Sequence, residues 1–198
     1  MWFRRTAIVS LAWSLLVIIW GAYVRASGSG AGCGAHWPVC NGDLIPRAPS
    51  VQTLIEYTHR ATSGIALLLV IAVFVMALRQ PSRVARRFAT LSLVLMLTEA
   101  ALGALLVKAE LVADNATASR AVAMSIHLIN TFLLVGVMVM TVFHAFAGDV
   151  AARLRGSSAV FSWLAMVLVM VTGVSGAIAA LGDTLTQQAV QSAFVDLL

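Results

Sequence analysis

Charged residues are scarce in this sequence. Asp, Glu, Lys and Arg make up 11% of its 198 residues, whereas 61% are hydrophobic, and the mean hydropathy is +0.95. Soluble globular domains carry about 25% charged residues, so this composition excludes an ordinary soluble domain. A convincing small-residue cleavage site is also lacking after the first apolar run, which argues against a cleaved signal peptide over residues 1–27.

Five long stretches are almost free of charge. They are Ala7–Val24, Leu54–Leu78, Phe88–Val107, Ala121–Phe146 and Val160–Leu181. Each has about 18 to 26 residues, which is long enough to cross a bilayer as a helix. Because unbroken Leu, Val, Ala and Met runs are typical of helices, the sequence predicts an all-α polytopic membrane protein, with a four-helix transmembrane bundle and a fifth transmembrane helix.

A Gly-Ala pair recurs near the ends of three of these stretches, at Gly21, Gly103 and Gly176. Small residues allow helices to approach closely. Since the fifth stretch then resembles the first, we divide the chain into an N-terminal four-helix half, residues 1–147, and a second part, residues 148–198. The second part is predicted to be the fifth helix with an outer amphipathic tail, the start of an incomplete second half.

The net charge of +5 would suit a nucleic-acid partner, but its distribution argues against one. Eight of the thirteen basic residues flank the stretches on one side. Arg4 and Arg5 precede the first stretch. Arg79, Arg83, Arg86 and Arg87 are predicted to fill the second short loop, and Arg153 and Arg155 to lie in the fourth. The positive-inside rule assigns this side to the cytoplasm. The sequence therefore predicts a multi-pass protein of the cell inner (plasma) membrane, with a cytoplasmic N-terminus and residues 26–53 on the outer face.

Both cysteines, Cys33 and Cys40, lie in that outer loop. An oxidising compartment favours a disulfide between them, and neighbouring glycines with Pro38 are compatible with a compact turn. The bridge could be a local structural clamp or a redox-active pair, although the spacing is wider than the C-x-x-C of thioredoxin-like sites. His36, inside the loop, is predicted to be an exposed loop residue.

Two histidines, His59 and His127, lie at matching heights in the second and fourth stretches. Each is nineteen residues from the inner end of its stretch, roughly 28 Å along a helix and close to the hydrocarbon thickness. Ionisable residues at such positions are costly and by default functional. The two stretches run in the same direction, so we expect them diagonally opposed in a four-helix bundle, where heme is commonly clamped. We therefore predict two heme-iron ligands; for His59 the alternative is an interface histidine.

Glu56 lies one turn before His59 and shares its helix face. Its carboxylate could lie beside the ligating histidine or move protons at the edge of a substrate. The alternative is an ion pair with Arg60, which has the correct i, i+4 spacing.

Three other polar residues fall within the apolar stretches. Glu99 lies near mid-membrane and has no obvious partner, so we predict a protonated carboxyl with an inward-facing packing role. Asn130, one turn below His127, could bond to a neighbouring helix. His144 lies about 25 Å below His127 and cannot join its site; it is predicted at headgroup level, with a second heme as the alternative.

Four basic residues lie near the outer ends of the first four stretches, contrary to the positive-inside bias. They are Arg25, Arg60, Lys108 and Arg120. Because Arg forks suit carboxylates, some of these residues could pair with heme propionates. The alternative is that their side chains extend to the lipid headgroups.

Several motifs together resemble the heme A synthase family. They are the runs Gly21–Cys33, Trp37–Gly42, Glu56–Arg60, Gly103–Lys108, Ala113–Asn115, His127–Thr131 and Gly176–Thr184. The resemblance covers nearly the whole chain and implies oxidation of the C8 methyl of heme O to a formyl group, giving heme A for terminal oxidases. It also implies that the heme O site comprises the counterparts of Cys33, Cys40, Glu56, His59 and His127.

One departure from the family is large. Most members resemble two fused four-helix halves, and the second half has its own histidine pair, thought to hold a heme B cofactor. Since this sequence stops after the fifth stretch, we expect a truncation, a separate second half or a homo-oligomer. Membrane lipid and heme O synthase are further expected partners. Alternatives of another class are a non-catalytic bis-histidine membrane cytochrome and a heme-handling assembly protein.

Overall fold

The computed structural model describes residues 1–113, 115–149, 160, 164–176, 178–179, 182 and 185–186. Within them, four long helices are α1 (Trp2–Ala26), α2 (Val51–Ala77), α3 (Arg83–Lys108) and α4 (Ala118–Ala147). A shorter apolar helix, α5, spans Leu164–Gly176. The four long helices have 25 to 30 residues and are apolar enough to cross a membrane. The prediction of an all-α membrane bundle is confirmed.

Neighbouring helices pack in a ring. α1 packs on α2 and α4, and α3 packs on the same two helices, so α2 and α4 are diagonally opposed as predicted. We call the end where α1 and α3 finish and α2 and α4 begin the loop end. Two tryptophans of α1 tie it to α2, because Trp13 and Trp20 donate from Nε1 to the carbonyl oxygens of Thr62 and Ile55 at 3.0 and 3.2 Å.

The core of the bundle has two apolar clusters. The cluster far from the loop end is rich in alanine, with Ala7, Ala77, Ala85 and Ala89 around Phe3, and these small side chains allow close helix approach. The second cluster lies closer to the loop end. Its buried members are Ala66, Val70, Met96, Leu134 and Met138.

A small cavity of about 10 Å³ interrupts this core. Its lining is mostly apolar, but Ser10, Ser92 and Thr141 also border it. Ser92 and Thr141 hydrogen bond to each other at 3.2 Å, whereas the Ser10 hydroxyl is buried with no partner among the described residues. A space of this size is at the lower limit for one ordered water.

The helices extend beyond the apolar stretches because polar caps start them. The side chains of Ser50, Ser82 and Thr117 accept a hydrogen bond from the backbone N–H three residues later, the usual N-cap arrangement. As a result α3 begins at Arg83 rather than Phe88. The predicted position of Arg83, Arg86 and Arg87 in a loop is therefore wrong, since they lie on the first turns of α3.

α5 packs against the bundle. A Cβ on Gly173 would lie 2.6 Å from Phe132 and 2.8 Å from Leu128 of α4, so the glycine permits this close contact. Arg25 of α1 also donates from Nη2 to the carbonyl oxygen of Gly176 at 3.1 Å. The rest of the predicted second part, including most of its amphipathic tail, lies outside the described residues.

His144 lies at the end of α4 predicted for it, but its ring does not face the surface. The side chain is buried and stacks on Phe88 with ring centroids 5.4 Å apart. Its Nδ1 is 2.8 Å from the carbonyl oxygen of Gly148. The burial was not predicted: this histidine packs between helices and meets the C-terminal end of α4, and its level at the headgroups stays a prediction.

Asp149 caps α3 from outside the helix. Its carboxylate accepts hydrogen bonds from the Ser82 hydroxyl and from the backbone N–H groups of Val84 and Arg83 at 3.1 and 3.4 Å. These hydrogen bonds, led by that of Ser82, hold the pKa of Asp149 below its ordinary value of 3.8. A negative charge here also complements the N-terminal end of the helix dipole.

We expect Asp149→Asn to lower the unfolding temperature at neutral pH but not in acid. A depressed pKa in the folded state adds stability above the ordinary pKa, and this stability is lost as the pH falls through the lowered value. Thermal unfolding in detergent, followed by circular dichroism from pH 7 to pH 3, measures the effect. Asp43→Asn, at an exposed loop residue, is the control. If Asp149→Asn lowers the unfolding temperature by the same amount at pH 7 and pH 3, the proposed role of the Asp149 charge as a cap is contradicted.

Candidate functional site

His59 lies at the loop end of α2, against the backbone of α1. A Cβ added to Gly21 would lie 2.9 Å from Cε1 and 3.2 Å from Nε2 of the imidazole. Real Cβ atoms do not approach a ring so closely, so only glycine leaves room for His59 in this position. Gly21 therefore forms a notch in α1 that receives the imidazole.

His127 stands in the same relation to α3. A Cβ on Gly103 would lie 3.9 Å from Cε1 of its ring, an ordinary van der Waals distance. Each predicted ligand thus faces the glycine of a Gly-Ala pair on the preceding helix. The repeated pair marks the histidine positions, a relation that sequence reasoning missed although both motifs were visible.

The structure places the two imidazoles near the loop end of the bundle, on the diagonally opposed helices α2 and α4. The Nδ1 atom of each ring is shielded from solvent and has no hydrogen-bond partner within the part of the chain that is described. Since an unsatisfied buried polar atom costs about 1–3 kcal/mol, such atoms are retained where a ligand or a function requires them.

Glu56 does not engage His59. It is 4% exposed, and its Oε2 accepts the backbone N–H of Cys33 at 2.8 Å. Its Oε1 accepts from Nε of Arg60 at 3.0 Å and also from Nη2. Of the two interpretations that the sequence leaves open, this geometry favours the i, i+4 ion pair.

Arg60 extends this ion pair into the loop between α1 and α2. Its Nη1 donates to the carbonyl oxygens of His36 and Val39, the latter at 2.7 Å. All three guanidinium nitrogens are therefore engaged within the protein, so Arg60 is poorly placed to bind a heme propionate.

The other three predicted propionate partners do not form one cluster. Arg25 bonds to α5 through the carbonyl oxygen of Gly176, and Arg120 donates from Nη1 to the carbonyl oxygen of Asn115 at 2.9 Å. Lys108 is exposed at the end of α3. Their role toward propionates stays a prediction.

A disulfide joins Cys33 and Cys40, as the sequence predicts. Both residues are buried, at 0% and 1% exposed, so the bridge is shielded from solvent, which favours the structural clamp. The loop is docked on the first turn of α2: Thr53 donates from Oγ1 to the carbonyl oxygen of Gly32 at 2.7 Å. A Cβ on Gly32 would lie 2.5 Å from the backbone of Gln52. His36 is exposed, as predicted.

Glu99 has partners on α4. Asn130 donates from Nδ2 to its Oε2 at 2.6 Å, and the Thr131 hydroxyl bonds to its Oε1. The same Oε1 lies 3.6 Å from Nδ1 of His127. The expectation that Glu99 lacks a partner is therefore wrong. Asn130 and Thr131 follow His127 at i+3 and i+4, and this shared helix face is the signal that could have revealed the cluster.

Comparison with known proteins places the chain in a family. The family model for cytochrome oxidase assembly proteins, COX15-CtaA, matches residues 4–194. The chain is 51% identical over 179 residues to a protein of Thermus thermophilus named Protoheme IX farnesyltransferase; the alignment covers 88% of this chain and 29% of that protein. No solved structure matches the chain.

Other relatives carry a different name. The chain is 38% identical over 92 residues to the Heme A synthase of Alkalihalophilus pseudofirmus, covering 46% of this chain and 31% of that protein. It is 45% identical over 93 residues to the Heme A synthase of an Exiguobacterium species, with the same coverage. Each alignment spans less than a third of the relative's own length. Because the family match extends over nearly the whole chain, this protein belongs to the heme A synthase family of cytochrome oxidase assembly proteins.

Proposed function

We propose that this chain binds heme O between His59 and His127 and takes part in oxidising its C8 methyl group to the formyl group of heme A. The observation that carries the proposal is the pair of imidazoles on diagonal helices, each facing a glycine and each with a buried Nδ1 that makes no hydrogen bond among the described residues. The relatives named Heme A synthase support the choice of reaction.

The residues fit a heme on chemical grounds. Imidazole is a common axial ligand of heme iron, and histidines on facing helices of a four-helix bundle are a recurring heme site. The heme itself supplies the redox chemistry when bound. The protein contributes the two ring nitrogens and orients them, through the notch at Gly21 for His59 and beside Glu99 for His127.

The cysteine loop closes the loop end of this site. The ion pair of Glu56 and Arg60 anchors the loop through Cys33, His36 and Val39. We propose that this anchoring keeps water and lipid headgroups away from the reacting edge of the substrate. A proton-transfer role for Glu56, one of the roles that its position on the His59 face leaves open, stays a prediction that requires Arg60 to release the carboxylate.

We further propose the cellular setting. The chain would lie in the cell inner membrane, with the cysteine loop on the outer face and the propionates directed toward Lys108 and its neighbours. The similarity to a protein named Protoheme IX farnesyltransferase supports heme O synthase as a partner, because farnesylation of protoheme precedes the proposed oxidation.

We expect His59→Ala and His127→Ala each to abolish the low-spin absorption spectrum of a heme held by two histidines. The protein would be purified from cells that make heme O, and its extracted heme identified by chromatography. Heme O with heme A supports the proposal. Heme B alone would favour a bis-histidine cytochrome. A wild-type protein without heme, or an unchanged spectrum in both variants, would overturn the proposed site. His36→Ala, in the exposed loop, is the control.

We expect Gly21→Ala to disturb the heme more than Gly103→Ala. The new Cβ at Gly21 would meet the His59 ring at 2.9 Å, whereas the one at Gly103 would lie 3.9 Å from the His127 ring. The loss of heme per protein and the change in its absorption spectrum measure the difference. Gly64→Ala, where a Cβ meets nothing within 4 Å, controls for the general effect of alanine. If Gly21→Ala, Gly103→Ala and Gly64→Ala show the same heme content and the same absorption spectrum, the proposed notch at Gly21 is contradicted.

We expect Arg60→Ala to destabilise the folded protein by about 3 kcal/mol, because it leaves the buried carboxylate of Glu56 without its charge partner. Arg60→Lys should recover only part of the loss, since lysine lacks the fork that reaches both the carboxylate and the loop. Thermal unfolding in detergent and proteolysis of the loop over residues 33–49 test this. Lys108→Ala, at an exposed lysine, should change neither the unfolding temperature nor the proteolysis of the loop. A loss of stability in Lys108→Ala similar to that in Arg60→Ala would contradict a specific role of Arg60 in anchoring the loop.

A further inference from the structure

We infer that Glu99 is a positioning residue for His127, and that the two histidines are consequently unequal ligands: His127 holds the iron firmly, whereas His59 is the exchangeable ligand. The inference rests on the proposed heme site and goes beyond it, because neither the family resemblance nor the names of the relatives distinguish the two histidines.

The surroundings of the two rings differ. Oε1 of Glu99 lies 3.6 Å from Nδ1 of His127, so a carboxylate stands next to the nitrogen opposite the one that would meet iron. At this distance the contact is an ion-pair approach and not a hydrogen bond, and Nδ1 of both rings lacks a hydrogen-bond partner among the described residues. The difference is that only His127 has a carboxylate this close within the part of the chain that is described. Glu56, the carboxylate on the helix face of His59, is instead bound by Arg60 and Cys33.

Glu99 is fixed from two sides. Asn130 donates to its Oε2 at 2.6 Å and to the carbonyl oxygen of Leu95 at 3.0 Å. The amide oxygen of Asn130 accepts in turn from the Thr98 hydroxyl at 2.7 Å, and Thr131 holds the other carboxylate oxygen. Both partners on α4 are buried. The carboxylate therefore has a defined orientation before any ligand binds.

This arrangement has a known effect on ligand strength. A histidine that donates its second ring N–H to a carboxylate is fixed in one tautomer and orientation, and it becomes a stronger electron donor to the metal. The Nδ1–Oε1 distance of 3.6 Å would have to shorten to a hydrogen bond for this effect to act on His127 when it binds iron. Among the described residues no carboxylate lies at ion-pair distance from His59, whose ring is kept in place by contact with Gly21.

Unequal ligands suit a heme that is a substrate. Such a heme must enter, react and leave, so one strong and one weak ligand keep it oriented while one side of the iron can open. The weak ligand is then His59 on α2, one turn after Glu56, which binds the cysteine loop through Cys33. The strong ligand is His127 on α4, next to Glu99 of α3.

The first experiment measures the reduction potential of the bound heme in Glu99→Gln. We expect the potential to rise, because a less donating His127 stabilises ferric iron less. Affinity for hemin added to the heme-free protein in detergent should fall about tenfold, a typical cost of losing such a partner. Glu110→Gln, outside the helices at an exposed position, should leave both unchanged. An unshifted potential in Glu99→Gln would overturn the inference.

Variants of Thr131 test the same contact without changing Glu99, in case Glu99→Gln does not fold. Thr131→Val removes the hydroxyl that holds Glu99 at nearly constant volume, and we expect a smaller rise in potential. Thr131→Ser keeps the hydroxyl and should restore the wild-type value. An equal potential in Thr131→Val and wild-type protein would count against the inference, as would failure of Thr131→Ser to restore it.

The two histidine variants separate this inference from the proposed function. With His127 as the firm ligand, His59→Ala should retain a high-spin heme that binds carbon monoxide readily, whereas His127→Ala should lose most of its heme. Equal loss in both variants would overturn the inequality while leaving the proposed site intact. If neither substitution changes the spectrum, the proposed site itself fails.

Discussion

The cost of an unpaired polar group inside a bilayer governs the interior of this protein. Both membrane-embedded carboxylates meet donors: Glu56 is bound by Arg60 and the backbone of Cys33, and Glu99 by Asn130 and Thr131. Among the described residues four buried side-chain atoms make no hydrogen bond: the hydroxyls of Ser10 and Ser14, and Nδ1 of His59 and of His127. The apolar helices provide the scaffold, and these polar contacts decide how the helices are joined at the loop end.

Most of the fold could be predicted because it depends on composition. Long apolar runs identify membrane helices, and the order of those runs places α2 and α4 on a diagonal. The ends of the helices could not be read from hydropathy, since a helix continues into charged residues wherever a cap satisfies its first N–H groups. Ser82 and Asp149 do this for α3, so three arginines assigned to a loop lie on its first turns.

The candidate site was predicted less completely. The histidines were identified by depth alone, and the ion pair of Glu56 and Arg60 was one of two open interpretations, because spacing along a helix cannot reveal what a third segment offers. That third segment is the cysteine loop, whose backbone supplies partners to both side chains. The partners of Glu99 escaped prediction although Asn130 and Thr131 share a helix face with His127, because spacing along α4 does not show which residue of α3 that face meets.

The two glycine–histidine contacts, Gly21 with His59 and Gly103 with His127, show how the two sides of the candidate site differ. α1 with α2 and α3 with α4 each place a histidine against the glycine of a Gly-Ala pair, so the two halves of the bundle share one local design. They differ in what lies beside the ring: the first pair places its carboxylate in the anchor of the cysteine loop, and the second places it next to His127. A similar backbone arrangement thus holds the two histidines, and the two glutamates, differently placed, make their surroundings chemically distinct.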